Sequence, residues 1–464
     1  MGDDSPGQSC SERVMAILES AGKAPVNLKP VRVGICGLGT VGGGTFNVLT
    51  RNADEIARRA GRPIVIEQIG ARRDNPLCDL SSANVTRDIF EVARNPDIDV
   101  VVELIGGYEV ARQLVLEAIS HGKHVVTANK ALIAVHGSEI FRAAAERGVI
   151  VAFEAAVAGG IPVIKSLREG LGANRIQWLA GIINGTGNYI LTHMRDEGRT
   201  FEDVLAEAQA LGYAEADPTF DIEGIDAAHK LTILASIAFG VPLQFDKTYT
   251  EGISRITSED IEQADNLGYI IKHLGIARRT DGGVELRVHP TLIPKTRLLA
   301  NVHGVKNAIE VMGDAVGPTL YYGAGAGAEP TASAVVADIL DVARDIATEH
   351  NYRTPYLAFI GIDDDQDRLP ILPMERIVSA YYLRLSAVDR PGVLARVAMI
   401  LAEQEISIES LIQKEAKSGD LATIIMLTHA VREANMNAAI LSLEALDDIA
   451  GPVTRIRVEN LDEQ

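Results

Sequence analysis

The sequence predicts an α/β protein with three folded parts: a parallel-sheet domain, an α+β domain and a C-terminal βαββαβ unit. Strand and helix patterns alternate early in the chain, the middle mixes strands with longer helices, and the last part alternates again. At 464 residues the chain is long enough for two or three domains. We assign these parts to residues 30–154 with 331–350, to 155–330 and to 380–464, with an N-terminal extension at 1–29 and a linker at 351–379.

Composition limits the kinds of partner. The net charge is −19, which disfavours non-specific binding to nucleic acid or to an anionic membrane surface. Three irregularly spaced cysteines are too few for a disulfide framework or a zinc site, and they indicate a reducing, cytoplasmic location. No apolar stretch approaches the ~20 residues that a transmembrane helix needs. We therefore expect neither nucleic acid nor a membrane as a partner.

The first domain is predicted from an ordered series of strands and helices. It begins with the strand VRVGIC, continues through a helix to about Arg59 and the strand IVIEQIG, and then has a helix near Asp88–Arg94. The strand DVVVELIG, a helix from Glu109 to His121 and the strand HVVTA follow. Much later, GAGAGAEPTASAVVADILDVARDIA opens as a glycine loop and becomes a helix that we expect to pack back on this domain. This alternation predicts a parallel sheet covered by helices.

A glycine-rich turn with the pattern GxGxxG stands between the first strand and the first helix. In this context the first glycine permits the tight turn, the second lets the backbone approach a pyrophosphate, and the third allows the helix to pack closely on the strand. The helix N-terminus then faces the phosphates. We predict a Rossmann-type domain that binds a dinucleotide through Gly37, Leu38, Gly39, Thr40, Val41 and Gly42.

The end of the second strand bears on cofactor choice. When NAD is preferred, this strand usually ends in an acid that binds the adenosine ribose. Here it ends in Gly70, Ala71, Arg72 and Arg73, with no acid before Asp74. Arginine side chains pair well with a 2′-phosphate, so we predict that NADP is favoured through Arg72, with NAD possible. The alternative is an ordinary solvated turn.

The middle of the chain contains a segment rich in acidic residues, AQALGYAEADPTFDIEGIDAAHK. The preceding TFEDVLAEAQAL is predicted to be a helix, because Thr200 suits the N-cap, acids occupy its first turn and Gly212 suits the C′ position. An irregular acidic loop should follow, and a second helix should begin near Gly224.

On that second helix, Asp226 and Lys230 stand four residues apart and share a face. The ordinary interpretation is a solvated ion pair worth ~0.3–0.5 kcal/mol. However, Ile233 and Ile237 project in nearly the same direction, so the pair extends an apolar stripe into the protein. A partly buried lysine beside carboxylates is a candidate for proton transfer.

The C-terminal part follows a proline-rich linker that contains the run DDDQD. YYLRLSAV alternates faces with period two, DRPG makes a turn, and VLARVAMILAEQ is an amphipathic helix. The strands ISIESLIQKE and LATIIMLTHA, a second helix and the strand VTRIRVE complete a βαββαβ, ferredoxin-like order, with KSGD as the hairpin turn.

The acidic segment resembles the signature of homoserine dehydrogenases. The matching positions are Ala208, Gly212, Asp217, Pro218, Asp221, Gly224, Asp226 and Lys230. IGGYEVARQLVLEAISHGKHVVTANKALIA, NGTGNYIL and GAGAGAEPTASAV resemble further blocks of that family, and the C-terminal unit resembles an ACT domain. The resemblance implies an NAD(P)-dependent enzyme of threonine and methionine biosynthesis that interconverts L-homoserine and L-aspartate 4-semialdehyde. It also implies a homodimer or homotetramer, and we expect a monofunctional enzyme.

The resemblance further implies roles for individual residues. Lys230 would donate and accept the proton, and Lys130, which follows a strand at its carboxyl end, would be its partner near the nicotinamide and the substrate oxygen. Glu215 would anchor the substrate amino group, and Asp226 would bind substrate or orient the lysine. Two further positions are implied, Thr127 at the cofactor and Gly185 at the substrate.

The segment FEAAVAGGI resembles the monovalent-cation loop of the same family. There Glu154 and the backbone carbonyls of Val157, Gly159 and Ile161 would supply hard oxygen ligands, which suit sodium. Ordinary turn chemistry explains these glycines equally well. No helical histidine pair is present, so we expect no transition metal.

Two other functions remain open at this point. An aldehyde dehydrogenase of the aspartate-semialdehyde type needs a nucleophilic thiol, and Cys10, Cys36 and Cys78 all lie in unconvincing places. A non-catalytic amino-acid sensor would use the nucleotide-binding and ACT parts for binding alone.

The ACT-like part suggests feedback inhibition by L-threonine near the turn Asp389–Gly392, although a role in dimer contact alone is the alternative.

Overall fold

The computed structural model describes residues 29–347, 354–359, 369–414 and 421–461. Residues 1–28 of the predicted N-terminal extension, the KSGD turn and much of the predicted linker lie outside these residues. The chain divides into two compact units. Of the described residues, the first unit holds 29–173, Thr232–Phe245 and those from Tyr321 to 359, and the second holds Asn174–Leu231, Asp246–Leu320 and those from 369 onwards.

The first unit is built on a parallel sheet of six strands. Its strands are β1 (Val31–Cys36), β2 (Ile64–Gly70), β3 (Val85–Thr86), β4 (Val100–Glu103), β5 (His124–Thr127) and β6 (Val151–Ala152). They are arranged in the order β3-β2-β1-β4-β5-β6, which is the dinucleotide-binding order, and the direction of winding reverses between β1 and β4. The predicted Rossmann-type fold is therefore confirmed. Ligands of such sheets bind at the carboxyl ends of the strands beside this reversal.

The helices of this unit follow the predicted order, with one correction. They are α1 (Thr40–Arg51), α2 (Ala53–Ala60), α3 (Ile89–Arg94), α4 (Glu109–Ser120) and α5 (Lys130–Arg147). The single helix expected to run to about Arg59 is two helices, because Asn52 (φ −105°, ψ 21°) leaves the helical conformation and caps both α1 and α2. Asp88 caps α3 through a hydrogen bond from the Phe90 N–H to its side chain (2.9 Å).

A later helix, Ala328–Ala347, which is labelled α11 by its place in the chain, returns to this core as predicted. Its residues Ala332, Val335 and Ile339 are fully buried in the same apolar cluster as the first strand. The approach is close, since a Cβ built on Gly44 would collide with the carbonyl oxygen of Ala328. Glycine at position 44 is therefore required by the packing of the returning helix against α1.

The second unit contains a long mixed sheet. Its strands are β7 (Ile176–Ile182), β8 (Tyr249–Thr250), β9 (Tyr269–Thr280), β10 (Gly283–Pro294), β11 (Lys306–Gly313), β12 (Gly317–Ala324), β13 (Val378–Val388), β14 (Ile408–Lys414), β15 (Leu421–Thr428), β16 (Val431–Arg432) and β17 (Ile449–Val458). Strand β12 continues past Leu320 into the first unit. The main order is β12-β11-β7-β9-β10-β17-β13-β15-β14.

The remaining helices are, in chain order, α6 (Gly185–Glu197), α7 (Phe201–Ala210), α8 (Thr219–Ile222), α9 (Ile225–Phe239), α10 (Ser258–Asn266), the first unit's α11 (Ala328–Ala347), α12 (Val393–Glu403) and α13 (Glu433–Glu444). Helix α9 begins in the second unit and its residues from Thr232 belong to the first. The caps predicted for α7 are present, because the Asp203 N–H donates to the Thr200 side chain (3.3 Å) and Gly212 is left-handed (φ +76°). Helix α9 begins one residue after Gly224, as predicted.

The C-terminal part has the predicted βαββαβ order, β13-α12-β14-β15-α13-β17, with strands arranged β17-β13-β15-β14. The sequence does not predict how this part is attached. Strand β17 pairs in parallel with β10 through Thr291 with Arg457 and Leu292 with Val458, so the two sheets are continuous. The described end of the predicted linker also pairs with β10, since the Val284 N–H donates to the Pro370 carbonyl (2.8 Å).

Among the residues described, none of the helices combines the length and apolar character that a membrane span requires.

We predict that Gly44→Ala destabilises the first unit by about 1–3 kcal/mol, because the added methyl group overpacks the contact between α1 and α11. Gly170→Ala is the matched control, since a Cβ there meets no atom within 4 Å. Urea unfolding followed by circular dichroism measures both variants. Equal midpoints for the two variants would show that the close helix contact is not a constraint.

Candidate active site

The glycine-rich turn has the geometry of a phosphate cradle. Gly37 is left-handed (φ +99°) and its N–H donates to the Gly70 carbonyl (2.8 Å), which closes the turn against β2. A Cβ on Gly42 would collide with the Gly37 carbonyl oxygen, whereas a Cβ on exposed Gly39 would meet no protein atom within 4 Å. Packing therefore explains two of these glycines, and the open space beside Gly39 suits the approach of a pyrophosphate.

The other residues of the turn complete this cradle. Leu38 is buried, Thr40 is exposed at the first position of α1, and Val41 is half-buried. The first turn of α1 contains no acidic residue, which suits a bound phosphate. The side-chain amide of Asn75 donates to the carbonyls of Leu38 (3.1 Å) and Gly39 (3.4 Å) and so fixes the turn. The sequence analysis did not identify Asn75. Its position in the loop after β2 was the only indication in the sequence that it could contact the glycine-rich turn.

The loop after β2 carries positive charge. Arg72 and Arg73 are exposed there. Asp74, the first acid after the strand, forms an ion pair with Arg87 (2.9 Å), and Arg87 also donates to the Ala71 carbonyl (2.9 Å). The carboxylate of Asp74 is thus already paired with an arginine, and Arg72 and Arg73 are exposed beside it.

A buried carboxylate organises the carboxyl ends of β4 and β5. Glu103 is fully buried and accepts hydrogen bonds from the Thr127 hydroxyl (2.6 Å) and the Ile105 N–H (2.9 Å). Burial raises the pKa of Glu103, and these hydrogen bonds oppose that rise. The hydroxyl of Thr127 is therefore engaged within the protein and positions the loop. Sequence reasoning missed Glu103, although an acid at the end of the apolar strand VVVE was a usable signal.

Lys130 begins α5 directly beyond this network and is half-buried. The preceding residue, Asn129, caps the helix by accepting from the Leu132 N–H (3.1 Å). Its side-chain amide donates to the Gly107 carbonyl (2.7 Å). These bonds fix the start of α5, so Lys130 is held at the carboxyl edge of the sheet.

In the second unit, Asp226 and Lys230 form a buried ion pair. The Lys230 Nζ lies 2.6 Å from the Asp226 Oδ2, and the two side chains are only 11% and 6% exposed. Nζ also donates to the Ile183 carbonyl (2.8 Å) at the end of β7. The prediction that this pair turns inward is confirmed, since a solvated pair would be exposed.

Asn184 connects this pair to the neighbouring loop. Its amide nitrogen donates to Asp226 (2.9 Å) and to Asp221 (2.8 Å). Its amide oxygen accepts from the Gly187 N–H (2.8 Å) and caps α6. The sequence analysis did not name Asn184, although NGTGNYIL contains it, and it named Asp221 as a matching position without giving it a role.

The two other residues assigned to substrate lie in different surroundings. Gly185 is the first residue of α6, beside Asn184, and a Cβ there would come within 2.9 Å of the Val305 carbonyl oxygen. Glu215 lies on the exposed loop after α7, where its own carbonyl accepts from Gln209 (3.0 Å). Among the described contacts, none joins the Glu215 side chain to the Asp226 network.

The predicted cation loop has an unusual backbone. Ala158 (φ +54°) and Gly159 (φ +36°) both have positive φ, and Val157 and Ile161 are buried on either side. The carbonyl of Ile161 accepts from the Val163 N–H (2.8 Å). Backbone carbonyls are hard oxygen donors, which are not the ligands of choice for a transition metal. In the part of the chain that the structure describes, no group of three or more His, Cys, Asp or Glu residues could hold a metal ion.

The Glu154 side chain has a structural function in the same loop. Its two carboxylate oxygens accept from the N–H groups of Ile164 (2.9 Å) and Lys165 (2.8 Å), at the start of the short helical segment Val163–Lys165. The Glu154 N–H donates to Asp338 (2.8 Å), whose pKa is raised to about 8 by burial and by the Glu154 charge. Any cation ligand from residue 154 must share these oxygens or use its backbone carbonyl.

Neither described cysteine is suited to nucleophilic catalysis. Cys36 is fully buried within β1, and burial, together with the charge of Glu103, raises the pKa of its thiol. Burial also raises the pKa of Cys78. Because the thiolate is the nucleophile, both side chains are poor candidates for an acyl-enzyme. Cys10 lies outside the described residues.

Comparison with known proteins agrees with this geometry. Family models match residues 37–154 (homoserine dehydrogenase, NAD binding domain), residues 162–340 (homoserine dehydrogenase) and residues 381–448 (ACT domain). A homoserine dehydrogenase of Pseudomonas aeruginosa is 70% identical over 435 residues, which are 94% of this chain and 100% of that protein.

Solved structures give the same result. The crystal structure of a homoserine dehydrogenase from Thiobacillus denitrificans has a TM-score of 0.89 and 61% identity, covering 94% of this chain and 99% of that one. A hyperthermophilic archaeal homoserine dehydrogenase in complex with NADPH has a TM-score of 0.59 and 25% identity, covering 70% of this chain and 100% of that one. The chain belongs to the homoserine dehydrogenases, oxidoreductases that use a nicotinamide cofactor, and it carries their NAD-binding, catalytic and ACT domains.

Proposed function

We propose that this chain interconverts L-homoserine and L-aspartate 4-semialdehyde with NADP as the favoured cofactor, and that Lys230 transfers the proton. The observation that carries the proposal is the buried Asp226–Lys230 pair, held by Asn184 and by the Ile183 carbonyl. The nicotinamide, when bound, exchanges a hydride with the alcohol carbon. What the protein must add is a proton donor and acceptor at the substrate oxygen.

The geometry of Lys230 supports that role. Its Nζ is held by two acceptors, the Asp226 carboxylate at 2.6 Å and the Ile183 carbonyl at 2.8 Å, so the group does not have to be ordered during the reaction. Low exposure strengthens its interaction with charge that develops on a substrate oxygen. In the reducing direction Lys230 gives a proton to that oxygen, and in the oxidising direction it takes the hydroxyl proton.

The remaining assignments complete the proposed site. Lys130 would act near the nicotinamide and the substrate oxygen, because its strand ends where ligands of parallel sheets bind. Glu215 would bind the substrate amino group, and Asp226 and Gly185 would contact the substrate beside Lys230. Thr127 would support the cofactor from β5, with its hydroxyl bonded to Glu103.

The preference for NADP rests on the loop after β2. Arg72 and Arg73 are exposed, and Asp74, the first acid after β2, is already paired with Arg87. A guanidinium group at this place suits a 2′-phosphate, whereas the ribose 2′-hydroxyl of NAD is usually bound by an unpaired acid.

A monovalent cation, sodium, is proposed for the loop of Glu154, Val157, Gly159 and Ile161. The positive-φ turn at 158–159 supports backbone carbonyl coordination. The cation would stiffen the connection between the parallel sheet and the segment that follows it in the chain. A cytoplasmic location is proposed because the chain has only three cysteines, irregularly spaced.

The ACT domain is proposed to bind L-threonine as a feedback inhibitor, in a homodimer or homotetramer. The turn Asp389–Gly392 leads into α12, with left-handed Gly392 (φ +92°) at its N-cap. Buried Asp448 forms ion pairs with Arg390 and Arg396, which fixes both sides of this turn. A ligand can regulate activity here only if it binds two conformations unequally.

The second candidate function, an aldehyde dehydrogenase of the aspartate-semialdehyde type, is not supported by any described feature, because the burial of Cys36 and Cys78 opposes thiolate formation. A single assay distinguishes a homoserine dehydrogenase from an aldehyde dehydrogenase and from a non-catalytic sensor. Homoserine and NADP should give reduced cofactor without added phosphate or acyl acceptor, and a non-catalytic sensor would give none.

We predict that Lys230→Ala lowers kcat by about 10²–10⁴-fold, the range for loss of a general acid–base group. Binding of NADPH, followed by its fluorescence, should remain within about twofold because the cofactor turn is untouched. Lys295→Ala is the control, since this exposed lysine forms an ion pair with Asp265 (2.9 Å). Near-normal turnover of Lys230→Ala would reject the assignment.

We predict that Arg72→Ala lowers kcat/KM for NADPH by about 10-fold or more, the size of a lost charge-assisted hydrogen bond. The value for NADH should stay within about twofold, because NADH lacks the 2′-phosphate. Arg58→Ala, which removes another exposed arginine of the same unit, serves as the control. A strong NADH preference that Arg72→Ala leaves unchanged would refute the NADP proposal.

We predict that Asp389→Ala raises the threonine concentration needed for half-inhibition by about 10-fold while leaving uninhibited kcat unchanged. The point variant is preferable to deletion of residues beyond about 375, because deletion would strip β17 from β10. Initial rates at increasing threonine give the result. An unchanged inhibition curve, or no inhibition of the wild-type enzyme, would overturn the effector assignment.

A further inference from the structure

The junction between the ACT domain and the rest of the second unit contains a buried charge cluster. Arg457 on β17 is fully buried, and it donates to Glu433 on α13 through Nε (3.0 Å) and to Glu251 through a terminal nitrogen (2.7 Å). Its guanidinium also lies over the Tyr249 ring, 5.0 Å from the centroid. The cluster therefore joins two ACT-domain elements to the segment that begins at β8.

That segment, residues 249–254, is fixed from its other side by backbone contacts. The Glu251 N–H donates to the Val288 carbonyl on β10 (2.8 Å), and the Glu251 carbonyl accepts from His273 (3.0 Å) on β9. The Glu251 side chain accepts from the Tyr249 hydroxyl (2.8 Å) as well as from Arg457. Glu251 thus connects the ACT domain to the sheet through both its side chain and its backbone.

The same segment is also hydrogen-bonded to the residues that precede α9, the helix that carries Asp226 and Lys230. The Ile253 N–H donates to the Ile222 carbonyl (2.9 Å), and the Ser254 hydroxyl donates to Glu223 (2.8 Å). Gly252 lies so close to this loop that an added Cβ would collide with the Glu223 carboxylate. Residues 221–224, which end α8 and lead into α9, are called loop 221–224 here. Residues 252–254 therefore fix the position of this loop.

This loop leads directly into the Asp226–Lys230 pair. Gly224 is left-handed (φ +83°), and its carbonyl accepts from the Ala228 N–H (2.9 Å) in the first turn of α9. A Cβ on Gly224 would come within 3.0 Å of both His273 and Thr250. His273 forms a hydrogen bond with the Glu251 carbonyl, and Thr250 directly precedes Glu251 in the chain. At its other end the loop presents Asp221 to Asn184, the residue that also binds Asp226.

We propose that Glu251 is a positioning residue for the dehydrogenase reaction: through Arg457 the ACT domain fixes segment 249–254, which sets loop 221–224 and hence the orientation of Asp226 and Lys230. This inference rests on the proposed role of Lys230. It assigns to the ACT domain a part in building the active site, in addition to any effector binding.

Glu251 is a practical place to test this, because its side chain is 31% exposed, whereas Arg457 and Glu433 are 0% and 2% exposed. Removing either buried partner would leave an uncompensated charge and endanger folding. A matched control exists in Glu259 on α10, whose 39% exposed side chain forms the corresponding ion pair with Arg384 of the ACT domain (3.2 Å). Glu259 is joined to the same domain but lies on a different element.

The experiment compares kcat, KM for homoserine, KM for NADP and melting temperature in Glu251→Ala, Glu251→Gln and Glu259→Ala. We expect Glu251→Ala to lower kcat by about 10-fold, equivalent to ~1.4 kcal/mol, with KM for NADP unchanged. Glu251→Gln, which keeps an acceptor for Arg457, should recover most of the loss, and Glu259→Ala should keep wild-type kcat.

Equal kcat values for Glu251→Ala and Glu259→Ala at similar melting temperatures would overturn the proposal. Should Glu251→Ala fail to fold, Glu251→Gln carries the test, because a neutral amide binds the Arg457 guanidinium more weakly than a carboxylate does. A partial fall in kcat, smaller than the one expected for Glu251→Ala and at unchanged melting temperature, supports the proposal, and a kcat equal to that of the wild type refutes it. Lys230→Ala separates this result from the proposed function. If Lys230→Ala is active the proposed site fails, whereas an inactive Lys230→Ala beside a normal Glu251→Ala refutes only the positioning role.

Discussion

The buried ion pair between Asp226 and Lys230 is the interaction on which the proposed active site depends. A buried ion pair is a weak source of stability, because the loss of hydration offsets much of the Coulomb attraction. An apolar pair of similar volume would fit this face of α9 at less cost, since Ile233 and Ile237 beside it are already buried. The pair is therefore better explained by chemistry than by folding, and Asn184 and the Ile183 carbonyl satisfy the polar groups that this chemistry requires.

The parallel sheet of the first unit meets a different constraint, which is close backbone approach. Its turn after β1 must leave room for a phosphate, and its helices must pack tightly enough to keep that turn in place. Gly39 borders open space, while Gly44 allows α11 to return against α1. One glycine serves the ligand and the other serves the fold, although both stand in the same GLGTVGGG run.

Sequence periodicity predicted the parallel sheet, the two caps of α7 and the βαββαβ order, because each depends on residues close together in the chain. It missed contacts that form over long separations. Asn184 meets Asp226 across 42 positions, and β17 meets β10 across more than 160. The break at Asn52 was also missed, because an amphipathic pattern continues across a helix junction when both helices cover the same core. The roles of Lys130, Glu215 and the cation loop came from family resemblance, and they remain predictions.

The join between β10 and β17 has a consequence for how the ACT domain is oriented. Pairing Thr291 with Arg457 places the arginine on the face that carries Glu433 and Glu251. A slip of one residue would turn Arg457 to the opposite face and bring an apolar neighbour into the charge cluster. Buried Glu433 would then lose its strongest partner, at a cost of about 3–5 kcal/mol. The buried charges, which contribute little to net stability, therefore select the register of β17 on β10. That register determines which ACT-domain side chain reaches segment 249–254.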